Sequence, residues 1–309
     1  MKMTFDQIKS VTFGALRIYE DERGIRFQKC TEKQVAAWYA LSKGLGERSE
    51  TTTGVRLDFC TDSKTLTVDA AGGDKYEVHI DNLPRYRVHR TEGEAMKFDL
   101  GAGEKRVTLI LPSHGVGVLR SVELDDGATL TPYAHKRRIL FIGDSITQGW
   151  NARYDSLSYA WQVTKFLDAN SVIQGIGGAF FHESTVDTVG FEADTVVVAY
   201  GTNDYGHYKT LEELTLHADL FFAGIAAQYA GKRLVAVSPI FREDMDKDKA
   251  MGSFAQCRAA VTAMAEKHGF TAADGLTLVP HNMDFMADFV HPNDLGFGVF
   301  ASNLVKYLQ

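Results

Sequence analysis

The chain has 309 residues, of which 45% are hydrophobic and 24% are charged, a composition typical of a folded globular protein. Its formal net charge of −7 argues against a nucleic acid or an anionic membrane as the partner, because both require a basic face. No stretch approaches the roughly 18 uninterrupted apolar residues that a membrane span requires.

The N-terminus and the cysteines bear on where the protein resides. Asp6 and Lys9 fall where a secretory signal would need apolar residues. Cys30, Cys60 and Cys257 are odd in number and widely spaced, which favours neither a disulfide framework nor a zinc site. We therefore expect no signal peptide and a cytoplasmic protein.

The first part of the chain has a period of two. Short runs alternate apolar and polar residues, which predicts half-buried antiparallel strands separated by glycine-rich turns. These runs are 55–59, 65–69, 76–80, 95–100, 105–111 and 116–124. The pattern predicts a β-sandwich of jelly-roll type over residues 1–135. Segment 33–44 is compatible with either a strand or a short helix.

The pattern changes after a boundary near residues 131–138. Apolar runs without alternation at 139–142, 171–176, 194–200 and 233–239 are typical of strands buried on both faces. Helical stretches lie between and after them, at 157–169, 211–230, 247–269 and 295–308. Alternating strands and helices predict a three-layer α/β/α domain with a parallel sheet over residues 136–309.

Ser145 follows the first of these predicted strands directly, within 143-GDS-145. Functional groups of an open parallel sheet gather beyond the carboxyl ends of its strands. Ser145 can be a nucleophile there if a base takes its proton, and the alternative is a simple helix N-cap.

His291 is the candidate base, because only this histidine among ten has a well-spaced carboxylate close by in sequence. Asp288 precedes it by three residues, so it can accept the Nδ1 proton while Nε2 points outward. The alternative is that Asp288 and His291 only cap a helical turn.

Two further strand ends offer donors for an oxyanion. After the second parallel strand, Gly177 and Gly178 allow a backbone amide to approach a ligand. After the third, Asn203 in 201-GTND-204 can donate its side-chain amide. An ordinary turn and an Asx-turn are the respective alternatives.

Together these four blocks, GDSITQG, GIGG, GTND and DFVH, resemble the SGNH hydrolases, also called GDSL esterases, over roughly residues 137–309. The resemblance implies a flavodoxin-like domain with Ser145 as nucleophile, His291 as base and then acid, and Asp288 as the orienting carboxylate. It implies an oxyanion hole formed by the amides of Ser145 and Gly178 and the side chain of Asn203. Ile173 and Gln174 stand where the family often has Asn, which leaves Gly177 as the other candidate.

The order of the two predicted domains is similar to that of the two-domain carbohydrate acetylesterases of this superfamily. We expect hydrolysis of short-chain, acetyl-type esters on small molecules or acetylated oligosaccharides, without a metal or organic cofactor. Residues after the blocks are candidates for the substrate pocket, namely Trp150, Asn151, Phe180 and Tyr205. The sequence leaves the oligomeric state open, including a homo-oligomer.

Two other functions remain open at this point. The chain can be a lysophospholipase or longer-chain GDSL esterase, although no long apolar lid segment is visible. It can also be a non-catalytic carbohydrate-binding protein. A nucleotide-binding flavodoxin-like domain is disfavoured, because GDSITQGW contains no GK[ST].

Overall fold

The computed structural model describes residues 1–187 and 190–309. The first part forms two antiparallel sheets. Their strands are β1 (Thr12–Phe13), β2 (Arg17–Asp21), β3 (Gly24–Gln28), β4 (Arg56–Thr61), β5 (Thr65–Gly72), β6 (Lys75–Ile80), β7 (Leu83–His89), β8 (Met96–Asp99), β9 (Lys105–Ile110), β10 (Val118–Leu124) and β11 (Thr131–Pro132). One sheet has the order β1-β4-β9-β6-β7 with β11 beside β4, and the other has the order β2-β3-β10-β5-β8.

A single apolar core lies between these sheets. Side chains of both sheets meet there, including Leu57 and Phe59 of β4 and Leu66 and Val68 of β5. Along β5 every second residue is buried, as the alternation of its sequence predicts. The β-sandwich predicted for this part of the chain is confirmed.

The second part is built on a parallel sheet. Its strands are β12 (Arg137–Gly143), β13 (Ala169–Gly175), β14 (Thr195–Ala199), β15 (Arg233–Val237) and β16 (Thr271–Ala273). They pair in parallel in the order β13-β12-β14-β15-β16. This is the flavodoxin-like order, in which the connections change direction between β12 and β14. Ligands of such folds bind beyond the strand ends at that point.

Helices cover both faces of the parallel sheet. The helices of this part are α4 (Ser145–Gln148), α5 (Tyr159–Phe166), α6 (Asp204–His207), α7 (Leu211–Gln228), α8 (Phe254–Lys267) and α9 (Asp294–Leu308). Apolar residues of α7 and α8 pack in one cluster, and those of α5 and α9 pack in another. The predicted α/β/α arrangement is confirmed. None of the described helices has the length and apolar character needed to cross a membrane.

Segment 33–44 is helical except at Ser42, which is extended and separates two helices. The first part contains α1 (Phe5–Ser10), α2 (Glu32–Leu41) and α3 (Lys43–Ser49). Thr31 and Gln34 form a reciprocal capping box that starts α2. Trp38 and Leu45 pack in the same cluster as α7 and α8, so these two helices lie against the parallel-sheet part. The division into domains at residues 135 and 136 stays a prediction.

The helix predicted over 247–269 begins later, at Phe254. Ser253 caps it in a reciprocal box with Gln256. Gly252 has φ +120°, which is outside the helical region, so the helix cannot extend back through it. Apolar periodicity alone did not reveal this backbone break.

Candidate active site

Ser145 lies at the turn between β12 and α4. Asp144 caps this helix, because its side chain accepts a hydrogen bond from the Ile146 amide at 2.8 Å. Burial raises the pKa of Asp144 to about 7. A Cβ at Gly143 would lie 2.0 Å from Thr147 Oγ1, which explains the glycine. Asp144 rather than Ser145 is therefore the N-cap, and the Ser145 hydroxyl is left for another partner.

That partner is His291. Ser145 Oγ lies 2.8 Å from His291 Nε2, and His291 Nδ1 lies 2.9 Å from Asp288 Oδ2. A carboxylate only accepts hydrogen bonds, so Nδ1 carries the ring proton and Nε2 can accept the proton of Ser145. The three side chains form a continuous hydrogen-bonded chain although Ser145 and His291 are 146 positions apart.

Asp288 is held by several donors besides the imidazole. The amides of Val290 and His291 each donate to it at 2.8 Å, and Asn151 Nδ2 donates at 2.7 Å. Burial opposes the charged form, but the hydrogen bonds from His291 and Val290 outweigh it and lower the pKa of Asp288. Asn293 caps the following helix α9, so Asp288 and His291 are not its caps.

The two glycines after β13 differ in what their amides contact. The Gly177 amide donates to Gln148 Oε1 at 2.8 Å. The Gly178 amide has no acceptor among residues 1–187 and 190–309, and its φ of +83° suits glycine. Gly178 is therefore the better candidate donor for a ligand oxygen.

Asn203 lies four residues beyond the end of β14 and immediately before α6. Its Nδ2 donates to Ala179 O at 2.9 Å, which fixes the side chain and leaves a second N–H. The Ser145 amide begins α4, where the backbone has no intrahelical acceptor. Ser145, Gly178 and Asn203 all line one cavity, so these donors can converge on one oxygen atom.

This cavity has a volume of about 640 Å³ and is open to solvent. Seven lining residues were not identified as site residues from the sequence, namely Arg48, Thr202, Gly206, Arg242, Lys249, Phe289 and Val290. Arg242 follows the fourth parallel strand by five residues, so its position at a strand end could have indicated it. Arg48 comes from α3 in the first part of the chain, and no sequence signal links it to the site.

Of the predicted pocket residues, the structure places Trp150 in the wall, with 40% of its surface exposed. Asn151 contacts Asp288 instead. Phe180 is buried and stacks on His207 with ring centroids 3.7 Å apart. Tyr205 is fully buried, and its hydroxyl donates to Lys247 O at 2.7 Å. Phe180 and Tyr205 lie outside the cavity wall because their apolar rings are used in packing.

A separate group of side chains has the composition of a metal site. Ligand atoms of His182, Glu183 and His217 lie within 4.8 Å of one another. His217 Nδ1 and Glu183 Oε2 are 2.7 Å apart and form a hydrogen bond. These residues do not line the cavity of Ser145, and no other such group occurs in the described part of the chain.

A flavodoxin-like sheet with a serine after its first strand, in contact with a histidine from the loop before α9, together with the match to a family model, defines a class of enzyme, the carboxylic ester hydrolases of GDSL type. The chain belongs to the GDSL-like lipase/acylhydrolase family, whose sequence model matches residues 141–299. No curated protein matches the sequence of the chain.

Solved structures resemble the chain over nearly its whole length. The salicylyl-acyltransferase SsfX3 from a tetracycline biosynthetic pathway superposes with a TM-score of 0.78 at 22% identity, covering 96% of this chain and 93% of that one. A family two carbohydrate esterase from Clostridium thermocellum, solved in complex with cellohexaose, gives 0.69 at 14% identity, covering 96% and 97%. The acetyl xylan esterase Est2A from Butyrivibrio proteoclasticus gives 0.68 at 14%, covering 100% and 98%. At these identities the likeness establishes the shared fold.

Proposed function

We propose that this protein hydrolyses acetyl esters of carbohydrates through an acyl-enzyme on Ser145. The observation that carries the proposal is the contact of 2.8 Å between Ser145 Oγ and His291 Nε2 at the wall of an open cavity. The family membership supports the reaction class, and this geometry supports the roles that we propose for the residues.

The mechanism has two steps. His291 Nε2 takes the proton of Ser145 as its oxygen attacks the ester carbonyl, and then gives that proton to the departing alcohol. Water next attacks the acyl-enzyme, with His291 again as base and then as acid. Asp288 keeps the imidazole oriented and stabilises its charged form. The amides of Ser145 and Gly178 and the Asn203 side chain bind the oxyanion.

The surface around the triad suits a sugar. Trp150 is 40% exposed and Phe289 is 54% exposed, and both line the cavity. Exposed aromatic rings offer flat apolar faces, and apolar contact combined with a few polar groups is how most small-ligand sites bind. The esterase from Clostridium thermocellum, which has the same fold, binds cellohexaose.

The test is hydrolysis of 4-nitrophenyl acetate and of acetylated xylo-oligosaccharides, with release of acetate as the readout. We expect Ser145→Ala to reduce kcat by at least about 10⁴-fold, because the remaining catalysis comes only from binding and the oxyanion donors. Asp288→Asn should lower kcat by about 10⁴-fold through the wrong imidazole tautomer. Ser302→Ala, an exposed serine of α9, is the matched control and should retain full activity.

Two outcomes would replace the proposal. An acyl-length series from acetate to laurate that peaks at long chains would identify a lysophospholipase or long-chain esterase. Equal and negligible rates for the wild type and Ser145→Ala, together with binding of oligosaccharides, would identify a carbohydrate-binding protein without catalysis.

A further inference from the structure

The cavity of Ser145 is positively charged in a protein that is negatively charged overall. Arg48, Arg242 and Lys249 line it, whereas no Asp or Glu of the described residues does. The formal net charge of the whole chain is −7, so the charge of the cavity wall is opposite in sign to that of the protein as a whole. A cavity lined by one sign of charge concentrates ligands of the other sign.

Two of these cations share one carboxylate. Arg242 forms hydrogen bonds with Asp244 through Nε and through Nη2, the latter at 3.2 Å, and Lys249 Nζ contacts Asp244 Oδ2 at 2.7 Å. Burial opposes the charge on Asp244, but Arg242 and Lys249 outweigh it and lower its pKa. The three groups together therefore keep one net positive charge beside the cavity.

The third cation, Arg48, has no carboxylate partner in the part of the chain that the structure describes. Within residues 1–187 and 190–309 no acidic oxygen lies within 4.0 Å of its guanidinium. To these described residues its side chain makes one hydrogen bond, from Nη1 to Gly177 O at 2.9 Å. A guanidinium has five N–H donors in a fork that matches a carboxylate, so several remain free for a ligand.

The position of Arg48 is fixed close to the proposed oxyanion donors. The buried Lys29 Nζ donates to Arg48 O at 3.1 Å, which holds the end of α3. A Cβ built on Gly178 would lie 3.3 Å from Arg48 Nη1, so the guanidinium borders the loop beside the reacting ester. An anionic group that lies a few ångströms from the ester in the substrate can therefore contact the Arg48 guanidinium.

We propose that Arg48 forms a subsite for a carboxylate, so that the preferred substrate is an ester with an anionic group, such as an acetylated uronic acid. This inference rests on the proposed esterase function and narrows its substrate class. Lys249 and Arg242 add long-range attraction, and Arg48 makes the direct contact. A hydrogen bond with a charged group contributes enough for an advantage of about 10- to 100-fold in kcat/KM.

The experiment compares matched anionic and neutral esters. One pair is the methyl glycoside of an O-acetylated glucuronic acid and the corresponding O-acetylated glucoside. The second pair is 4-acetoxybenzoate and its methyl ester, which carry no sugar. We expect the wild type to prefer the anionic member of each pair by about 10- to 100-fold, and the preference to fall as salt is added.

Variants of Arg48 distinguish a role in binding the substrate carboxylate from a role in holding the Gly177 loop. Arg48→Gln should lower kcat/KM for the anionic ester much more than for the neutral ester and so bring the anionic-to-neutral ratio close to one, and Arg48→Lys should restore part of the ratio. Arg85→Gln, an exposed arginine of β7, is the control and should keep the wild-type ratio. Thermal melting checks that each variant is folded.

Different failures have different meanings. A wild-type ratio near one, or an equal loss on both esters in Arg48→Gln, would overturn the subsite, and the second result would mean that Arg48 only holds Gly177. A charge preference on the aryl pair without any hydrolysis of acetylated sugars would contradict the carbohydrate part of the proposed function and leave the subsite standing.

Discussion

The proposed role of Asn203 in the oxyanion hole can be tested by measuring kcat and KM separately. Asn203→Ala should lower kcat by about 100- to 1000-fold with little change in KM, because an oxyanion donor acts mainly in the transition state. Steady-state kinetics with 4-nitrophenyl acetate measures both constants. The expected result depends on the second N–H of Asn203, since the first is used by Ala179 O at 2.9 Å.

Asn303→Ala is a matched control for this variant. Asn303 Nδ2 also donates to a backbone carbonyl, that of Leu278 at 3.2 Å, but it lies on α9 and does not line the cavity. The Asn303→Ala variant should therefore lose a similar hydrogen bond but keep the wild-type activity. A kcat of Asn203→Ala within threefold of the wild type would remove Asn203 from the oxyanion hole.

The histidines show how far sequence proximity is informative at the residue scale. His291 could be selected because Asp288 is only three residues away, and a short segment of backbone holds both. His79 also contacts a nearby carboxylate, that of Glu77 on the same strand at 3.5 Å. Other histidines have carboxylate partners that are distant in sequence, as with His217 and Glu183 or His268 and Asp219. Only folding brings those pairs together, so no local pattern could predict them.

At the scale of elements, α3 depends on a buried lysine. Lys29 Nζ donates to the carbonyl of Arg48 and to the hydroxyls of Thr51 and Thr53. Burial lowers the pKa of Lys29 to about 7 from its ordinary value of 10.5, since the charged ammonium loses its hydration. The stability of the protein should therefore depend on pH through this group.

The direction of this pH dependence follows from the number of protons that the folded and the unfolded protein bind. Between about pH 7 and 10 the unfolded chain holds a proton on Lys29 that the folded protein has released, so the free energy of unfolding rises with pH. Relative to Lys29→Met, the wild type should gain about 2 kcal/mol from pH 7 to pH 9. Below pH 6 both states are protonated, and the difference between the two proteins should stay constant.

Urea denaturation at pH 5, 6, 7, 8 and 9 gives these free energies. Lys43→Met on the same helix α3 is the control, since the Lys43 side chain is 85% exposed, and its difference from the wild type should be flat across this range. A difference between wild type and Lys29→Met that also stays flat from pH 7 to 9 would mean that the buried amine keeps its proton.

Elements with strong local signals were predicted well, and those set by contacts were not. The runs at 139–142 and 194–200 correspond to β12 and β14, because a strand buried on both faces needs an uninterrupted apolar sequence. The segment of α2 was ambiguous because its apolar residues fit two periods. Its outcome was decided by the Thr31 cap and by Trp38, which packs against the parallel-sheet part.

At the scale of the whole molecule, both parts of the chain build the cavity. Arg48 enters from the first part, and Gln148 Nε2 in the second part donates to Ser113 O at 2.9 Å. The same Gln148 accepts the Gly177 amide, so it links the glycine loop to the first part. The site therefore depends on how the β-sandwich sits against the parallel sheet.

Arg56 of β4 is a main contact between the two parts. It is 1% exposed, its Nη2 donates to Ala169 O at 2.8 Å, and its Nε lies 3.6 Å from Asp58. Arg56→Met should lower the free energy of unfolding by about 2 kcal/mol, because the Ala169 carbonyl loses its donor, while Asp58 keeps Arg106 as its partner at 2.6 Å. Chemical denaturation measures the change.

An exposed arginine provides the comparison. Arg138 pairs with Glu192 at 3.2 Å, with side chains 45% and 81% exposed, so Arg138→Met should cost at most about 1 kcal/mol. Equal effects of the two substitutions would show that the contact between the two parts of the chain contributes little to stability.

The sequence by itself determined the two kinds of sheet, the GDSL-type blocks and the pairing of Asp288 with His291. Each of these features depends on the periodicity of apolar residues or on residues that are close together in the chain. Only the tertiary structure decided which glycine amide is free, which aromatic rings face the cavity, and that Arg48 borders it. These depend on contacts between residues far apart in the chain, such as Gln148 with Gly177 and Arg48 with Gly177. Local sequence patterns cannot predict such contacts, since the contacts form only when the layers of the fold pack together.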